Sequence, residues 1–547
     1  MRSCSYHPYI DDWMRKVDDG KVLACQEQKM LMPFVRTVLD NPNVEIRHKV
    51  IDEGVDMLHR WFPFQMHDFQ LFRFALFYGL FEKGTDFPVF NETFNLWGRG
   101  TGKNGIASMD AFYLVSDYNG VLDYDVDFVA NNQKQAMRSF EEIHAILKRN
   151  PKLRTMFDYT LQKIQFKQTG GTIGYLTSNA ETKDGGRQGA IIFDEVHMYE
   201  DYDMIGVLIG GLGKVKKPRI VYLSTDGFVR EAVVDDLKEK SYRVMRGEED
   251  HNGFLPIIFK LDHVEQMSNK DNWSMAIPRL PYDRTLSRQV AKEYEDAQSN
   301  MSLMEKFVTK RMNLPYISVN RAVATPENVM RACRHEWPDL ENEMCVGGVD
   351  YADRMDFSSV GLRFRKGDMH YFKQHTFIHE RSMQMTKYRI NLQDAVNTGH
   401  ATIIRESQAP TIPAEVLVDW FIEQAQHYHI TDIKCDLFRV NLIREAFEEV
   451  GLPVTPVRSG SVTHNMVAPT IQHLFTDDLI GLEDDKLMRW YISNVKVETD
   501  KKGNKTFHKI EPIKRKTDGF FCLLHTLIND ELQPAQEVRF FDMQSYG

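Results

Sequence analysis

The stretch "NLWGRGTGKNGIAS", residues 95–108, decides how the first half of the chain folds. It nearly fits the phosphate-loop pattern G-x-x-x-x-G-K-[ST], in which glycines let backbone N–H groups wrap phosphates, Lys reaches the β and γ oxygens, and a hydroxyl holds Mg²⁺. Gly102 and Lys103 fit, but Trp97 stands where the first Gly belongs and Asn104 where Ser or Thr belongs. A Gly-rich turn with one Lys is also a common surface loop, so the flanking residues must decide. "NETFNLW" (91–97) has the pattern of a strand and "NGIASMDAFYLV" (104–115) that of a helix. Strand, turn and helix in that order are the setting a phosphate site needs.

Working outward, "GAIIFDEVHMYED" (189–201) is an apolar strand ending in Asp194 and Glu195. In an ATPase of this type the Asp helps hold Mg²⁺ and the Glu polarises the attacking water. An isolated acidic pair can equally cap a buried strand; paired with the loop, it reads as catalytic. "PRIVYLSTDG" (218–227) ends another strand at Ser224 and Thr225, a turn placed to sense the γ-phosphate. With "DVDFVA", "QKQAMRSFEEIHAILKRN" and "TIGYLTS", these runs alternate strand and helix from about 94 to 225. The alternation predicts an α/β fold with a mostly parallel sheet.

At 547 residues the chain is too long for one core. With 42% hydrophobic and 27% charged residues it has a globular composition. "LFRFALFYGLF" (71–81) is too short to span a bilayer. No charged n-region followed by an apolar h-region opens the sequence, so secretion is not expected. The six scattered cysteines form no C-x-x-C pair, which argues for free thiols and against zinc. A formal charge of -10 disfavours a chain that coats nucleic acid and confines any such contact to a groove. Four segments are expected: helical 1–60, an ATPase domain 61–254, a linker or lid 255–340 and a second α/β domain 341–547. The charged stretch 238–253 and the Pro-punctuated 275–284 read as breaks, and the main boundary is placed between about 320 and 343.

In the second half, "MCVGGVDYADRMDFSSVGLRFRKGDMHYFKQHTFI" (344–378) reads as three consecutive strands with Asp350 ending the first. "HITDIKCDLF" (429–438) is a later strand ending at Asp436, and "KTDGFFCLL" (516–524) opens a helix with Asp518 in its first turn. An RNase H-like fold gathers carboxylates from such places around two metal ions. Two Mg²⁺ or Mn²⁺ ions roughly 4 Å apart can activate a water and stabilise a departing sugar oxygen. Each acid taken singly is also an ordinary strand end or helix cap.

By these motifs the chain resembles the large terminase subunit of tailed bacteriophages. The resemblance runs from "YIDDWMRKVDDGKVLACQEQK" and "MHDFQLFRFALFYGLF" through the loop, "TKDGGRQGAIIFDEVH" and "STDG" to "GGVDYADRMDFSS", "LMRWYISN" and "KTDGFFCLL". It implies a P-loop (ASCE-type) ATPase followed by an RNase H-like nuclease domain. It implies ATP with Mg²⁺ on Arg99, Gly100, Thr101, Gly102, Lys103, Asn104 and Asp194, with Gln70 reading adenine and Glu195 orienting water. The family's loop commonly runs R-x-x-G-K without a first Gly, so Arg99 matches and only Asn104 departs. It implies coupling through Ser224 and Thr225, and two divalent metals on Asp350, Asp436 and Asp518, with Asp353 spare and Asp356 a weak auxiliary ligand. Arg187 is a candidate finger for a neighbouring subunit, and Lys501, Lys502, Lys505, Lys509, Lys514, Arg515 and Lys516 are candidates for a DNA groove. The implied partners are double-stranded DNA, a small terminase subunit and a portal protein, with a homo-oligomeric ring docked transiently on a procapsid in the host cytoplasm and no membrane. Three readings compete: a helicase or DNA-repair ATPase needs no Asp triad, an RNase H-like transposase or resolvase needs no ATP, and a scaffold needs neither.

Overall fold

The computed structural model describes residues 6–177, 187–230, 232–315, 322–352, 357–386, 388, 390–452, 454–499, 503–510, 515–529 and 532. Two compact units divide the chain, Met1–Tyr316 and Ile317–Gly547.

The first unit is built on an eight-stranded sheet. Its order runs Phe254–Ile258, Glu92–Leu96, Arg219–Ser224, Gln188–Phe193, Asp125–Ala130, Thr172–Thr177, Ile164–Phe166, Phe157–Tyr159. The first six strands are parallel and the last two antiparallel. One strand, Arg219–Ser224, therefore lies between the loop strand Glu92–Leu96 and the acid strand Gln188–Phe193, the arrangement expected of an ASCE-type ATPase. Parallel strands covered by helices on both faces are apolar throughout, which is why "GAIIF" and "IVYL" are nearly continuous hydrophobic runs.

Helices Pro8–Asp18, Gln26–Leu39, His48–Trp61 and Asp68–Gly79 share one apolar core with this sheet. The expected segment 1–60 is thus packed into the unit and includes a short strand, Val44–Ile46, paired with Leu80–Glu82. Beneath the loop strand, Arg73 and Asp110, each 1% exposed, form a bidentate ion pair at 2.9 and 2.8 Å. Arg73 Nε also donates to Asn95 Oδ1 at 2.8 Å, and Asn95 Nδ2 donates to the Tyr222 carbonyl at 3.1 Å. A desolvated charge pair costs free energy unless its remaining hydrogen-bonding capacity is met, and Asn95 meets part of it from within the loop strand.

Two expectations need correction. The charged stretch 238–253 does not break the pattern at its start: helix Val233–Arg246 runs through it, with Lys238 paired to Asp226 and Asp235. A strand, Phe254–Ile258, follows it; Pro256 is tolerated there because the strand lies at the sheet edge. The segment 255–340 is not one piece. Helices Arg284–Gln298 and Met301–Lys310 close a small core with Trp273, Ile277 and Cys25 in the first unit, whereas Val323, Val329 and Leu340 pack into cores of the second.

The second unit holds a seven-stranded sheet. Met369–His379, Ser358–Lys366 and Met344–Asp350 form an antiparallel meander, continued by His429–Asp436 and Val454–Val457, both parallel to Met344–Asp350. Ala401–Ile404 and Ile480–Leu482 pair along the outer strand of the meander. This is the RNase H-like order. Helix Asp518–Leu527 crosses the central strand so closely that a Cβ on Gly348 would lie 2.3 Å from the Cys522 carbonyl.

Candidate active sites

In the first unit the loop turns through two left-handed glycines, Gly100 at φ 98° and Gly102 at φ 94°, a conformation that costs other residues free energy. Thr101 Oγ1 donates to the Gly98 carbonyl at 2.5 Å, and helix Lys103–Val115 begins directly after Gly102. Trp97 does not enter the site. Its fully buried ring packs against Phe69 and Phe259, and its Nε1 donates to the Ile257 carbonyl at 3.1 Å. A residue at the first-glycine position is tolerated because the chain directs it into the core.

Lys103 Nζ donates to the Trp97 carbonyl at 2.6 Å. Burial lowers its pKa to about 8, although Glu195 and Asp194 act to raise it. Asp194 ends the acid strand with its pKa pushed up to about 6, first by burial and then by the Glu195 charge. Glu195 has φ 51°, a left-handed backbone without glycine's freedom. Strain of this kind costs on the order of 1–3 kcal/mol and gathers at functional sites. Burial would raise the Glu195 pKa, but neighbouring positive charge, Lys103 and Lys310 among it, brings it below the usual carboxylate range. His197 Nδ1 lies 3.2 Å from the Glu195 carboxylate, while burial, then Lys310, drives the His197 pKa down to about 3, so the imidazole is neutral.

A cavity of about 530 Å³ opens over the loop, lined by its backbone, Lys103, Asn104, Glu195, Thr225 and three arginines, Arg99, Arg138 and Arg279. Gln70 lies against the loop, its Nε2 donating to the Thr101 carbonyl at 3.4 Å and its Oε1 accepting from the His67 N–H at 2.9 Å. Ser224 Oγ accepts from the His197 N–H at 3.0 Å, which ties the turn after Arg219–Ser224 to the carboxylate strand. Arg187 stands exposed at the opposite end of the acid strand from Asp194. At about 3.3 Å per residue that separation is about 20 Å, too far for Arg187 to reach its own unit's cavity.

Sequence reasoning did not single out Arg138, Arg279 or the end of helix Met301–Lys310. Lys310 Nζ donates to the Asp226 carbonyl at 3.0 Å, with its pKa lowered to about 8 by burial against the pull of Glu195 and Asp226. Asn313 Oδ1 accepts the Asp226 N–H at 3.0 Å and its Nδ2 donates to the Phe259 carbonyl at 2.7 Å. The Gly98 N–H donates to the Ala276 carbonyl at 3.1 Å, and a Cβ on Gly98 would lie 2.4 Å from the Arg311 carbonyl. The only local signal was "TKRMNLP" (309–315), a charged turn with no periodicity.

In the second unit the parallel register sets Val349 beside Cys435, so Asp350 and Asp436 end adjacent strands. Asp518 opens the helix that crosses them, with Cys522 Sγ donating to the Gly348 carbonyl at 3.1 Å and His525 Nδ1 to the Val349 carbonyl at 2.9 Å. The acids share a field. Burial raises the Cys435 thiol pKa, and the charges of Asp350 and Asp436 raise it further. Among the described residues no three His, Cys, Asp or Glu side chains close into a metal cluster. Asp350 and Asp436 thus lie at one end of the sheet, and Asp518 opens the helix packed on the same strands. Asp353, Asp356, Lys501, Lys502 and Lys514 lie outside the described residues. Arg515 and Lys516 are 5% exposed; Arg515 donates to Asn494 Oδ1 at 2.9 Å and Lys516 lies over Tyr388, so neither forms an open DNA-facing surface.

A P-loop ATPase fold and an RNase H-like nuclease fold thus stand on one chain. The family model for the terminase large subunit ATPase domain matches residues 68–243 and that for the terminase large subunit endonuclease domain matches 248–529. The chain belongs to the terminase large subunit family. It is 29% identical over 246 residues to the terminase large subunit of Lactococcus phage p2, covering 43% of this chain and 44% of that one. It is 20% identical over 206 residues to protein YmfN of Escherichia coli strain K12, covering 36% and 45%. The matched stretches thus span less than half the length of these relatives. The crystal structure of the HK97 bacteriophage large terminase is similar at 15% identity over 87% of this chain and 99% of that one, with a TM-score of 0.47. Among the described residues no helix is long and apolar enough to cross a membrane.

Proposed function

We propose that the chain is a DNA-packaging motor subunit that hydrolyses ATP to translocate double-stranded DNA into a procapsid and cuts concatemeric DNA with a metal-dependent endonuclease. The observation that carries this reading is the pairing of two sites on one chain: strained Glu195 facing Lys103 across the loop cavity, and Asp350 beside Asp436 at the sheet's end.

In the motor, the N–H groups of Gly100–Lys103 and the Lys103 ammonium bind the phosphates, with Arg99 close by, and Gln70 faces the adenine. Asp194 suits a magnesium ion, because a buried carboxyl with a pKa near 6 is held ionised by a divalent charge; the Asn104 amide oxygen is a suitable hard ligand. Bound Mg²⁺ supplies neutralisation of phosphate charge. Glu195, kept ionised by its cationic neighbours, orients the attacking water and takes its proton. Ser224 and Thr225 pass the state of the site to Asp226, which Lys310 and Asn313 tie to the 255–315 segment. A trans-acting arginine from a neighbouring subunit fits a ring, and Arg187, exposed and remote from its own cavity, is the candidate.

In the nuclease, Asp350, Asp436 and Asp518 suit two divalent ions, Mg²⁺ or Mn²⁺, since carboxylates are hard oxygen donors and Asp350 and Asp436 end adjacent strands; Asp356 is an auxiliary candidate. Bound ions supply activation of water and stabilisation of the leaving oxygen. The residues orient the phosphodiester and hold the ions at the strand ends. A small terminase subunit, a portal protein and a homo-oligomeric ring on the procapsid in the host cytoplasm complete the proposed assembly. The test is purified protein incubated with plasmid, with and without Mn²⁺ and ATP. Metal-dependent cutting together with ATP turnover supports the reading, and absence of both overturns it.

A further inference from the structure

The loops that leave the strands His429–Asp436 and Val454–Val457 carry apolar side chains in the open. Phe438 is 82% exposed, Leu442 54%, and Val462 and Met466 at the start of helix Ser461–Thr476 are 75% and 70% exposed. Phe438 is fastened to the candidate nuclease site. Asp436 Oδ1 accepts the Phe438 N–H at 2.7 Å, and the Leu437 N–H donates to the Val457 carbonyl at 2.8 Å, extending the parallel pairing of Asp436 with Val457. The position of the phenylalanine is therefore set by the carboxylate two residues before it. Each loop also carries an exposed arginine, Arg439 and Arg458, neither of which has an ion pair among the described residues.

We infer that Phe438 is a DNA wedge. It enters the minor groove beside the scissile phosphate and loosens one base step, while Arg439 and Arg458 hold phosphates on either side. This rests on the nuclease reading of Asp350, Asp436 and Asp518. The occupant follows from chemistry already in place: a polyanion is drawn by the two arginines, its phosphate is presented to the acids, and an apolar wedge is the device that opens a step of duplex. Phe438 makes no bond to the reacting atoms and acts by positioning the strand.

The test uses the full chain and a duplex carrying 2-aminopurine, whose fluorescence rises on unstacking. Binding is read with Ca²⁺ and cutting with Mn²⁺. Phe438→Ala is compared with Phe438→Trp and with Met385→Ala, an exposed apolar residue elsewhere in the unit. The fluorescence rise should disappear in Phe438→Ala and persist in the other two. Loss of an aromatic contact should slow cutting of the paired duplex about tenfold, and a two-base mismatch at the site should restore the rate to within about threefold of wild type. Equal loss on paired and mismatched duplexes would make the effect structural and overturn the inference, as would unchanged cutting and fluorescence. A change confined to sedimentation size would overturn the inference and make Phe438 part of a self-association surface instead. If wild-type protein cuts neither duplex, the nuclease reading fails, and the fluorescence measured with Ca²⁺ still decides the wedge.

Discussion

The Arg99 N–H donates to the Lys310 carbonyl at 2.7 Å, and the Arg311 guanidinium donates back to the Arg99 carbonyl at 2.6 Å while gripping Glu293 at 2.8 and 2.7 Å. The phosphate loop is therefore bonded through its own backbone to the end of helix Met301–Lys310. The next residues reach the turn after Ser224 through Asn313 and Lys310. The loop and the turn are thus both bonded to the same four residues, 310–313.

The motor site gives the first prediction. Lys103→Ala should abolish ATP turnover mainly by weakening nucleotide binding, because the ammonium acts on phosphate charge present in the ground state. Glu195→Gln should bind ATP with affinity close to wild type and lose at least about a hundredfold in kcat, since it removes a base needed only for the reaction. Nucleotide binding and steady-state turnover measured side by side check both. Wild-type rates in the two variants would make the loop decorative.

The pH dependence has two limbs. Burial holds Lys103 and Lys310 near a pKa of 8 in the free protein. Phosphate binding favours the charged amine, so affinity for ATP should fall as pH rises through about 8. Asp194, raised to about 6 by burial and Glu195, must lose its proton before a cation is held well, so activity should also fall as pH drops through about 6. The profile of kcat/KM for ATP should be bell-shaped between these values. A flat profile from pH 5.5 to 9 would contradict both assignments.

The Arg73 and Asp110 pair predicts stability. Arg73→Met leaves a carboxylate buried and strips Asn95 of its donor, and breaking a buried pair in this way costs about 3–5 kcal/mol. The urea midpoint of the first unit should fall accordingly. The double variant Arg73→Met with Asp110→Leu should recover part of the loss, because no lone charge remains.

How far the sequence revealed this depended on whether a feature is local. The strands around the loop, the acid strand and the ends at Asp350 and Asp436 were legible because each is an apolar run with one chemical residue at its tip. Trp97 was ambiguous for the opposite reason: a pattern counts positions, and only packing against Phe69 and Phe259 shows that the ring points away from the phosphates. The strand Phe254–Ile258 was hidden by Pro256, which reads as a breaker unless the strand is known to lie at an edge. Lys310 and Asn313 meet the loop and Asp226 across long stretches of chain, and such closure leaves no periodic trace. Buried Arg515 and Lys516 misled in the other direction, since a charge run is read as surface until its partners are known.

The domain division gives a fourth prediction. Residues 322–340 supply Val323, Val329, Ala332 and Leu340 to cores of the second unit, and Ala322 bridges to Lys496. A fragment beginning at Ile317 should therefore fold and keep metal-dependent cutting. A fragment beginning at 341 should be less soluble and unfold at lower urea, because those apolar side chains and their partners become exposed. Equal stability of the two fragments would place the boundary later.

The nuclease carries the last prediction. Asp350→Asn, Asp436→Asn and Asp518→Asn each remove a charge that two shared metals need while keeping size and one oxygen donor. Each should lose nearly all metal-dependent cutting of plasmid, and a double variant should be little worse, because residues serving one metal pair act as a unit. ATP turnover should survive in all three, since the loop, Glu195 and their neighbours lie in the other unit. The informative control is Asp432→Asn on the same strand. Asp432 sits beside Val346, four residues before Asp436, and its carboxylate accepts its neighbour Ile433's N–H at 2.8 Å. It lies about 13 Å from the strand end at the usual rise per residue, so Asp432→Asn should keep cutting within about twofold of wild type. Equal loss in Asp432→Asn and Asp436→Asn, read with circular dichroism to judge folding, would mean that the strand is fragile; equal retention would remove Asp436 from the site.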